Sequence, residues 1–174
     1  MPPLDFKRIL CPVDLSAFSL EALKLAVKVA GASNATLFLL HVIDNPYDEF
    51  YMSSIANADP ALFEVYQREP FKRARVVEAA ERHSEVLLKQ FSQDCVRAIP
   101  KVRYVIDSGD PFEAIMNAAE ARRADLVVLA THGRTGLKRL IIGNVAEKVV
   151  RHAPCPVLIV KPRAVRRKPS TKPG

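Results

Sequence analysis

The feature that most constrains the fold of this chain is a set of short segments that are apolar at nearly every position. Residues 35–43 read A-T-L-F-L-L-H-V-I, and residues 125–130 read D-L-V-V-L-A. Strands that are apolar on both faces belong to a parallel sheet that helices cover on each side. Further apolar segments at residues 7–13, 101–106 and 156–160 predict three more strands.

Helical patterns separate these strands. Residues 18–30 carry apolar side chains at helical spacing, with Ser16 as the predicted N-cap and Gly31 at the predicted C-terminal end. A long helix is predicted at residues 71–93, and shorter ones at residues 111–122 and 144–152. The predicted inner face of the long helix consists of Val76, Ala79, Ala80, His83, Val86, Leu87 and Gln90.

The predicted order of elements is βαβαβαβαβ. Because crossovers between parallel strands are right-handed, this order predicts an α/β fold with a doubly wound, five-stranded parallel sheet. With the strand order 3-2-1-4-5, ligands would bind in a crevice outside the carboxyl ends of strands one and four. The segments that would face each other there are Pro12-Val13-Asp14 and Leu129-Ala130-Thr131.

The net charge of +7 is unevenly distributed along the chain. Residues 161–174 contain six Lys and Arg side chains and no acid, so the remainder carries only +1. The Pro-rich basic tail at residues 162–174 is predicted to be disordered, and the near-neutral remainder argues against a nucleic-acid-binding domain. The tail is interpreted as solubilising, or alternatively as a weak contact for an acidic partner, nucleic acid or a membrane surface.

One domain is predicted at residues 5–161. Within it, residues 44–70 form an acidic excursion of a length that is typical of lids, binding loops or partner contacts. No segment approaches the roughly 20 apolar residues of a membrane span, and residues 1–6 lack a signal-peptide pattern, so the expected location is the cytoplasm. Three widely spaced cysteines are predicted to be buried free thiols, and no metal site is indicated: Cys11, Cys95 and Cys155.

Residues 130–144 read A-T-H-G-R-T-G-L-K-R-L-I-I-G-N and join the end of the fourth strand to the start of a helix. This arrangement is typical of an anion site, since glycines let backbone N–H groups approach phosphate oxygens and the helix dipole adds positive potential. The pattern of a P-loop NTPase is absent, as is any independently supported Ser-His-Asp or Cys-His grouping.

The chain resembles the universal stress protein family over about residues 5–161. The segments that carry the resemblance are P-V-D-L-S, the H-V that ends the second strand, G-D-P-F-E-A-I, A-D-L-V-V-L-A-T-H-G-R-T-G and A-P-C-P-V-L-I-V. Nucleotide-binding members carry a glycine, two residues, a second glycine, nine residues, and then a glycine followed by Ser or Thr. Gly133 and Gly143 match that spacing, whereas Ala130 replaces the first glycine and Asn144 replaces the Ser or Thr.

The resemblance implies a nucleotide-binding alpha-hydrolase-like fold that binds ATP or a related adenine nucleotide, with Mg²⁺ accompanying it. Adenine and ribose are expected near Pro12, Val13, Asp14 and Val42. The phosphates are expected against the backbone of Ala130, Thr131, Gly133, Gly143, Asn144 and Val145, with the charge of Arg134 close by. An alanine at position 130 costs little if the backbone there is an ordinary strand, and the asparagine at position 144 keeps a donor and can cap a helix.

Three functions are weighed from these observations. The glycine spacing favours a stress-response regulator or nucleotide-dependent switch with at most slow ATP hydrolysis. The two departures from the glycine pattern and the acidic excursion favour a nucleotide-independent dimeric interaction module instead. A true enzyme, such as a nucleotide hydrolase or an activating ligase, needs residues that position an attacking group, and none is evident.

A homodimer is expected under either of the first two functions. The strand at residues 156–160 would lie at the sheet edge, where pairing with a second copy hides unpaired backbone groups. A further protein partner is expected, but the sequence does not identify it.

Overall fold

A computed structural model describes residues 5–43, 73–131 and 143–161 of the chain. The strands within these ranges are β1 (Arg8–Pro12), β2 (Thr36–Ile43), β3 (Val102–Ser108), β4 (Leu126–Ala130) and β5 (Val157–Val160). The helices are α1 (Ala17–Ser33), α2 (Arg73–Val96), α3 (Pro111–Ala121) and α4 (Asn144–His152). The acidic excursion and the basic tail that the sequence predicts lie outside the described residues.

The five strands form one parallel sheet in the order β3-β2-β1-β4-β5, which confirms the predicted doubly wound α/β architecture. Buried side chains cover both faces of the sheet. Leu37 and Leu39 of β2 pack on the face that α1 and α2 cover, whereas Leu40 packs on the face that α3 and α4 cover. This burial on both sides explains why the central strands are apolar at consecutive positions.

Helix α1 begins as predicted but ends three residues later. The Ser16 side chain accepts a hydrogen bond from the Ser19 N–H, which confirms the N-cap. At the other end Gly31 lies inside the helix, so its predicted place after the helix is wrong, and Asn34 is the C-cap with φ 52°. Asparagine tolerates this left-handed conformation, and its backbone carbonyl accepts a bond from the Lys101 ammonium at 3.2 Å.

Because Gly31 is helical, Gly31→Ala is expected to raise the free energy of unfolding by about 0.5–1 kcal/mol. An added Cβ would lie 3.5 Å from the Ile99 Cγ2 atom, which is an ordinary contact. Urea unfolding of the variant measures the change. Asn34→Ala serves as the matched comparison, with a loss of stability expected from its left-handed backbone. A loss of stability in Gly31→Ala would contradict this assignment.

The inner face of α2 matches the predicted one at Ala80 but differs at Val86, and the side chains of Val76 and Ala79 lie outside the described part of the structure. Its buried residues include Ala80, Ser84, Leu88 and Ser92, whereas Val86 is 52% exposed. The Ser92 hydroxyl donates to the Leu88 carbonyl at 2.8 Å, so this serine is buried with its hydrogen-bonding group satisfied. The sequence pattern counts serine as a polar, outward-facing residue. The predicted inner face was therefore centred too close to Val86, which is exposed.

The start of α3 follows local cap chemistry. The Asp110 carboxylate accepts a hydrogen bond from the Glu113 N–H at 3.0 Å, and Pro111 is the first helical residue. The preceding Gly109 has φ 117°, and its N–H donates to the Ile43 carbonyl at 2.9 Å. This bond joins the carboxyl ends of β2 and β3. The predicted crevice lies at the same end of the strands.

Candidate functional site

The crevice opens between β1 and β4, where the two strands separate early. Their pairing ends at Leu10 opposite Val127, whereas β1 stays paired with β2 up to Pro12 opposite Leu40. The Arg8 carbonyl accepts a bond from the N–H of Asp125, the residue before β4. Alternate residues of β1, including Pro12, therefore direct their backbone groups toward β4. Proline has no N–H to offer there. The sequence therefore ends this ladder at the point where a ligand would enter.

A tight turn carries the chain from β1 into α1. The Asp14 Oδ1 atom accepts bonds from the Ser16 N–H at 3.1 Å and from the Ser16 hydroxyl at 2.6 Å. Between them Leu15 has φ 62°, a left-handed conformation that costs a non-glycine residue about 1 kcal/mol or more. These bonds give Asp14 the role of a turn residue. They do not test the predicted contact of Asp14 with ribose.

The end of β2 leaves backbone groups of Val42 facing the same crevice. Two bonds define the ladder between β1 and β2: Thr36 N–H to the Lys7 carbonyl and Val13 N–H to the Leu40 carbonyl, both 2.8 Å. Continued in the same pattern, the ladder would join Val42 to Val13 and then to Leu15. Neither bond is among the backbone hydrogen bonds of the described residues. Both Val42 groups therefore point past the end of β1.

A buried histidine binds the Val13 carbonyl, the acceptor of the missing bond. His41 is 3% exposed, and its Nδ1 atom lies 2.9 Å from the Val13 carbonyl oxygen. A carbonyl oxygen only accepts, so Nδ1 carries the proton and donates. In the sequence this histidine is known only as part of the H-V that ends the second strand, and its contact with the Val13 carbonyl was not predicted. The available signal is a single titratable side chain within an otherwise apolar strand.

The opposite wall of the crevice forms where β4 meets the start of α4. The Gly143 N–H donates to the Thr131 carbonyl at 2.7 Å, and a Cβ on Gly143 would lie 3.2 Å from that oxygen. The φ of this residue, −59°, is ordinary. Glycine is therefore favoured here by close approach rather than by an unusual backbone conformation.

Helix α4 has the predicted bounds. Its N-cap is Gly143, and no side chain of the described residues makes a capping hydrogen bond to it. Asn144 is the first helical residue and is exposed, so its predicted capping ability is not used. The first-turn N–H groups of any helix lack intrahelical acceptors and carry the positive end of its dipole. An anion would be stabilised at this position.

The fold brings most of the predicted site residues to the carboxyl edge of the sheet. Ala130 is the last residue of β4, opposite Val160, so its backbone is the ordinary strand in which the extra methyl costs little. The other predicted residues at this edge are Pro12, Val13, Asp14, Val42, Thr131, Gly143, Asn144 and Val145. Gly133 and Arg134 lie outside the described residues.

The cysteines differ in exposure. Cys11 lies fully buried in β1, and burial raises the pKa of its thiol far above the usual range. Burial also raises the pKa of Cys95 and of Cys155, which are partly exposed. Within the described part of the chain, no three His, Cys, Asp or Glu side chains gather as a metal site, and no helix is long and apolar enough to cross a membrane.

Native protein is therefore expected to show no more than two reactive thiols when titrated with an aromatic disulfide at pH 8, and three after denaturation. The thiolate is the reactive form, and the burial of Cys11 both suppresses that form and blocks access to it. Cys11→Ala should leave the native count unchanged. Rapid reaction of all three thiols in the folded protein would contradict the buried position of β1.

The chain is similar to known proteins over nearly its whole described length. The family model for the universal stress protein family matches residues 5–161. A universal stress protein of Methanocaldococcus jannaschii is 32% identical over 164 residues, and the match covers 90% of this chain and 82% of that protein.

Solved structures share the fold. A universal stress protein from Lactobacillus plantarum matches with a TM-score of 0.65 at 28% identity, covering 88% of this chain and 97% of that one. A universal stress protein in complex with cAMP matches with a TM-score of 0.55 at 22% identity, covering 90% and 98% of the two chains. A family member from Arabidopsis thaliana with AMP bound has a TM-score of 0.56 at 22% identity, covering 91% and 93%.

Proposed function

This chain belongs to the universal stress protein family, and from that premise we propose that it binds ATP or a related adenine nucleotide as a switch in the stress response. The observation that carries the proposal is that two sets of backbone groups face one crevice. The Val42 groups have no backbone partner on the β1 side among the described residues, and no described side chain caps the N-terminus of α4 at Gly143. The relatives solved with cAMP and with AMP are consistent with an adenine ligand.

The base would bind at the end of β2. Val42 offers an N–H donor and a carbonyl acceptor on the same side of an extended strand. Adenine presents the complementary pair on its Watson–Crick edge, with N1 as acceptor and the N6 amino group as donor. Guanine presents the reverse arrangement, a donor at N1 and an acceptor at O6. We therefore expect adenine to be preferred, with the ribose near Asp14.

The phosphates would bind at the start of α4. Backbone N–H groups at Asn144 and Val145 lie in its first turn, and the close Gly143 to Thr131 contact keeps this end of the helix against β4. Helix N-termini of this kind bind phosphate through orphan N–H groups and the helix dipole. Mg²⁺ would accompany the nucleotide. Arg134, which lies outside the described residues, remains a predicted source of positive charge.

We expect the protein to act by occupancy rather than by rapid chemistry. The carboxylate at the crevice, Asp14, directs its Oδ1 to two donors on Ser16, which is a turn contact rather than the placement of a general base. Any ATP hydrolysis should therefore be slow. Fast turnover that Asp14→Ala abolishes would favour an enzyme instead.

Equilibrium titration of the purified protein with Mg²⁺ and ATP, AMP, cAMP or GTP tests the proposed function. We expect saturable binding of the adenine nucleotides and at least about tenfold weaker binding of GTP, a difference of about 1.4 kcal/mol. Mass spectrometry of small molecules released from the denatured protein would identify a nucleotide retained during purification. No binding at millimolar adenine nucleotide would overturn the proposal in favour of the nucleotide-independent interaction module.

We also propose that β5 pairs with a second copy of the chain. β5 is an edge strand that pairs only with β4 among the described strands, and all four of its residues are apolar and partly exposed. Edge strands of this kind expose unpaired backbone groups that a symmetric partner can satisfy. The dimer would act in the cytoplasm, a location consistent with three unpaired cysteines.

A further inference from the structure

The contact between His41 and Val13 lies where the pairing of β1 with β2 ends. The His41 side chain shares a face of β2 with Leu37 and Leu39, the face covered by α1 and α2. From there Nδ1 donates to the Val13 carbonyl oxygen at 2.9 Å. That oxygen is the acceptor that a continued ladder would offer to the Val42 N–H. The imidazole thus binds the carbonyl from one face of the sheet, whereas the ladder bond would approach it within the sheet.

We propose that His41 is a positioning residue that keeps the Val42 N–H open for a nucleotide base. This inference rests on the proposed function of the crevice. By satisfying the Val13 carbonyl, the imidazole removes the need for a bond from Val42 and lets β1 turn away at Asp14 and Leu15. Leu15 is the residue whose N–H a continued ladder would bring to the Val42 carbonyl. Its left-handed φ of 62° turns the chain away from β2.

An apolar side chain at position 41 would remove this donor. The Val13 carbonyl, on a residue only 5% exposed, would then need another partner, because a buried acceptor left unpaired costs about 1–3 kcal/mol. The nearest donor along the ladder is the Val42 N–H. Closing that bond would satisfy both groups and would cover the position that the base needs.

Two measurements on His41→Leu, His41→Gln and His41→Asn test the inference. The first is amide hydrogen exchange at Val42 in the ligand-free protein, which we expect to be at least about tenfold slower in the leucine variant than in the parent. The second is affinity for ATP, which should fall at least about tenfold in that variant, a loss of about 1.4 kcal/mol. Binding of inorganic tripolyphosphate, which has no base, should not change.

The asparagine and glutamine variants are matched controls for polarity and folding. The amide nitrogen of asparagine can occupy nearly the place of Nδ1, so His41→Asn should keep rapid Val42 exchange and ATP affinity near the parent value. The glutamine nitrogen falls nearer Nε2, so His41→Gln should behave like the leucine variant. Should the leucine variant fail to fold, the comparison of asparagine with glutamine decides the same question.

Failure of this inference can be distinguished from failure of the proposed function. Absence of ATP binding to the parent protein would overturn the function, while Val42 exchange would still report whether His41 keeps the ladder open. Equal Val42 exchange in the parent, leucine and glutamine proteins would overturn the inference. An ATP affinity that stays at the parent value in the leucine and glutamine variants would do the same.

Discussion

Replacing Gly143 by valine is expected to lower the affinity for ATP at least about tenfold, which corresponds to about 1.4 kcal/mol of binding free energy. Even a single Cβ at this position would lie 3.2 Å from the Thr131 carbonyl oxygen, and valine adds two methyl groups to it. The start of α4 would have to move away from β4, and its N–H groups would move with it. Titration calorimetry with Mg²⁺ and ATP measures the loss.

Gly31→Val is the matched control for this substitution. Gly31 lies near the end of α1. This helix begins at the crevice and runs back toward the amino ends of the strands, so Gly31 is far from the candidate site. Valine is a slightly better helix former than glycine, so a valine there should change stability only modestly and leave ATP affinity unchanged. Gly143→Ala should have an intermediate effect. A folded Gly143→Val protein with the parent affinity would show that the phosphates bind elsewhere.

Ile159→Lys is expected to convert a dimer into a monomer at micromolar concentration. Thr131 N–H donates to the Val160 carbonyl, so Val160 directs its backbone groups toward β4 and the neighbouring Ile159 directs its own toward the open edge. A lysine on an edge strand opposes pairing with a second edge, because both copies would bring the same charge to the symmetric contact. Sedimentation velocity or light scattering gives the mass in solution.

Val86→Lys is the control for the dimer prediction. Val86 is 52% exposed on α2, which packs beside β3 at the other edge of the sheet, and its replacement should leave the dimer intact. A parent protein that remains monomeric at micromolar concentration would contradict pairing through β5. An Ile159→Lys protein that remains dimeric would place the interface on another surface.

The parallel sheet could be predicted from the sequence because burial on both faces leaves a continuous apolar signal in β2 and β4. The alternation of strands and helices with right-handed crossovers then indicated the doubly wound architecture. Helix starts at Ser16 and Asp110 were also predictable, since each cap bond joins residues only three positions apart. Once the strand order is fixed, the ends of β1 and β4 must lie side by side. Most residues of the candidate site could be predicted from this proximity.

Features that depend on distant contacts could not be predicted. The end of α1 at Asn34 rather than at Gly31 is accompanied by a bond from Lys101 to the Asn34 carbonyl, and these residues are 67 positions apart. The contact of His41 with Val13 spans 28 positions, and the sequence alone gives the imidazole no defined partner. The left-handed backbone of Leu15 belongs to a local turn, but it could not be predicted either, because leucine has no preference for that conformation.

The most direct test of the central claim is a titration of isotopically labelled protein with Mg²⁺ and ATP, followed through the backbone amide resonances. If the nucleotide binds in the proposed crevice, saturable shifts should concentrate at Val42, Gly143 and Val145. When tripolyphosphate replaces ATP, the shift at Val42, where the base would bind, should disappear. Amide resonances that do not move at millimolar ATP, or that move only at positions away from the carboxyl edge of the sheet, would contradict the account.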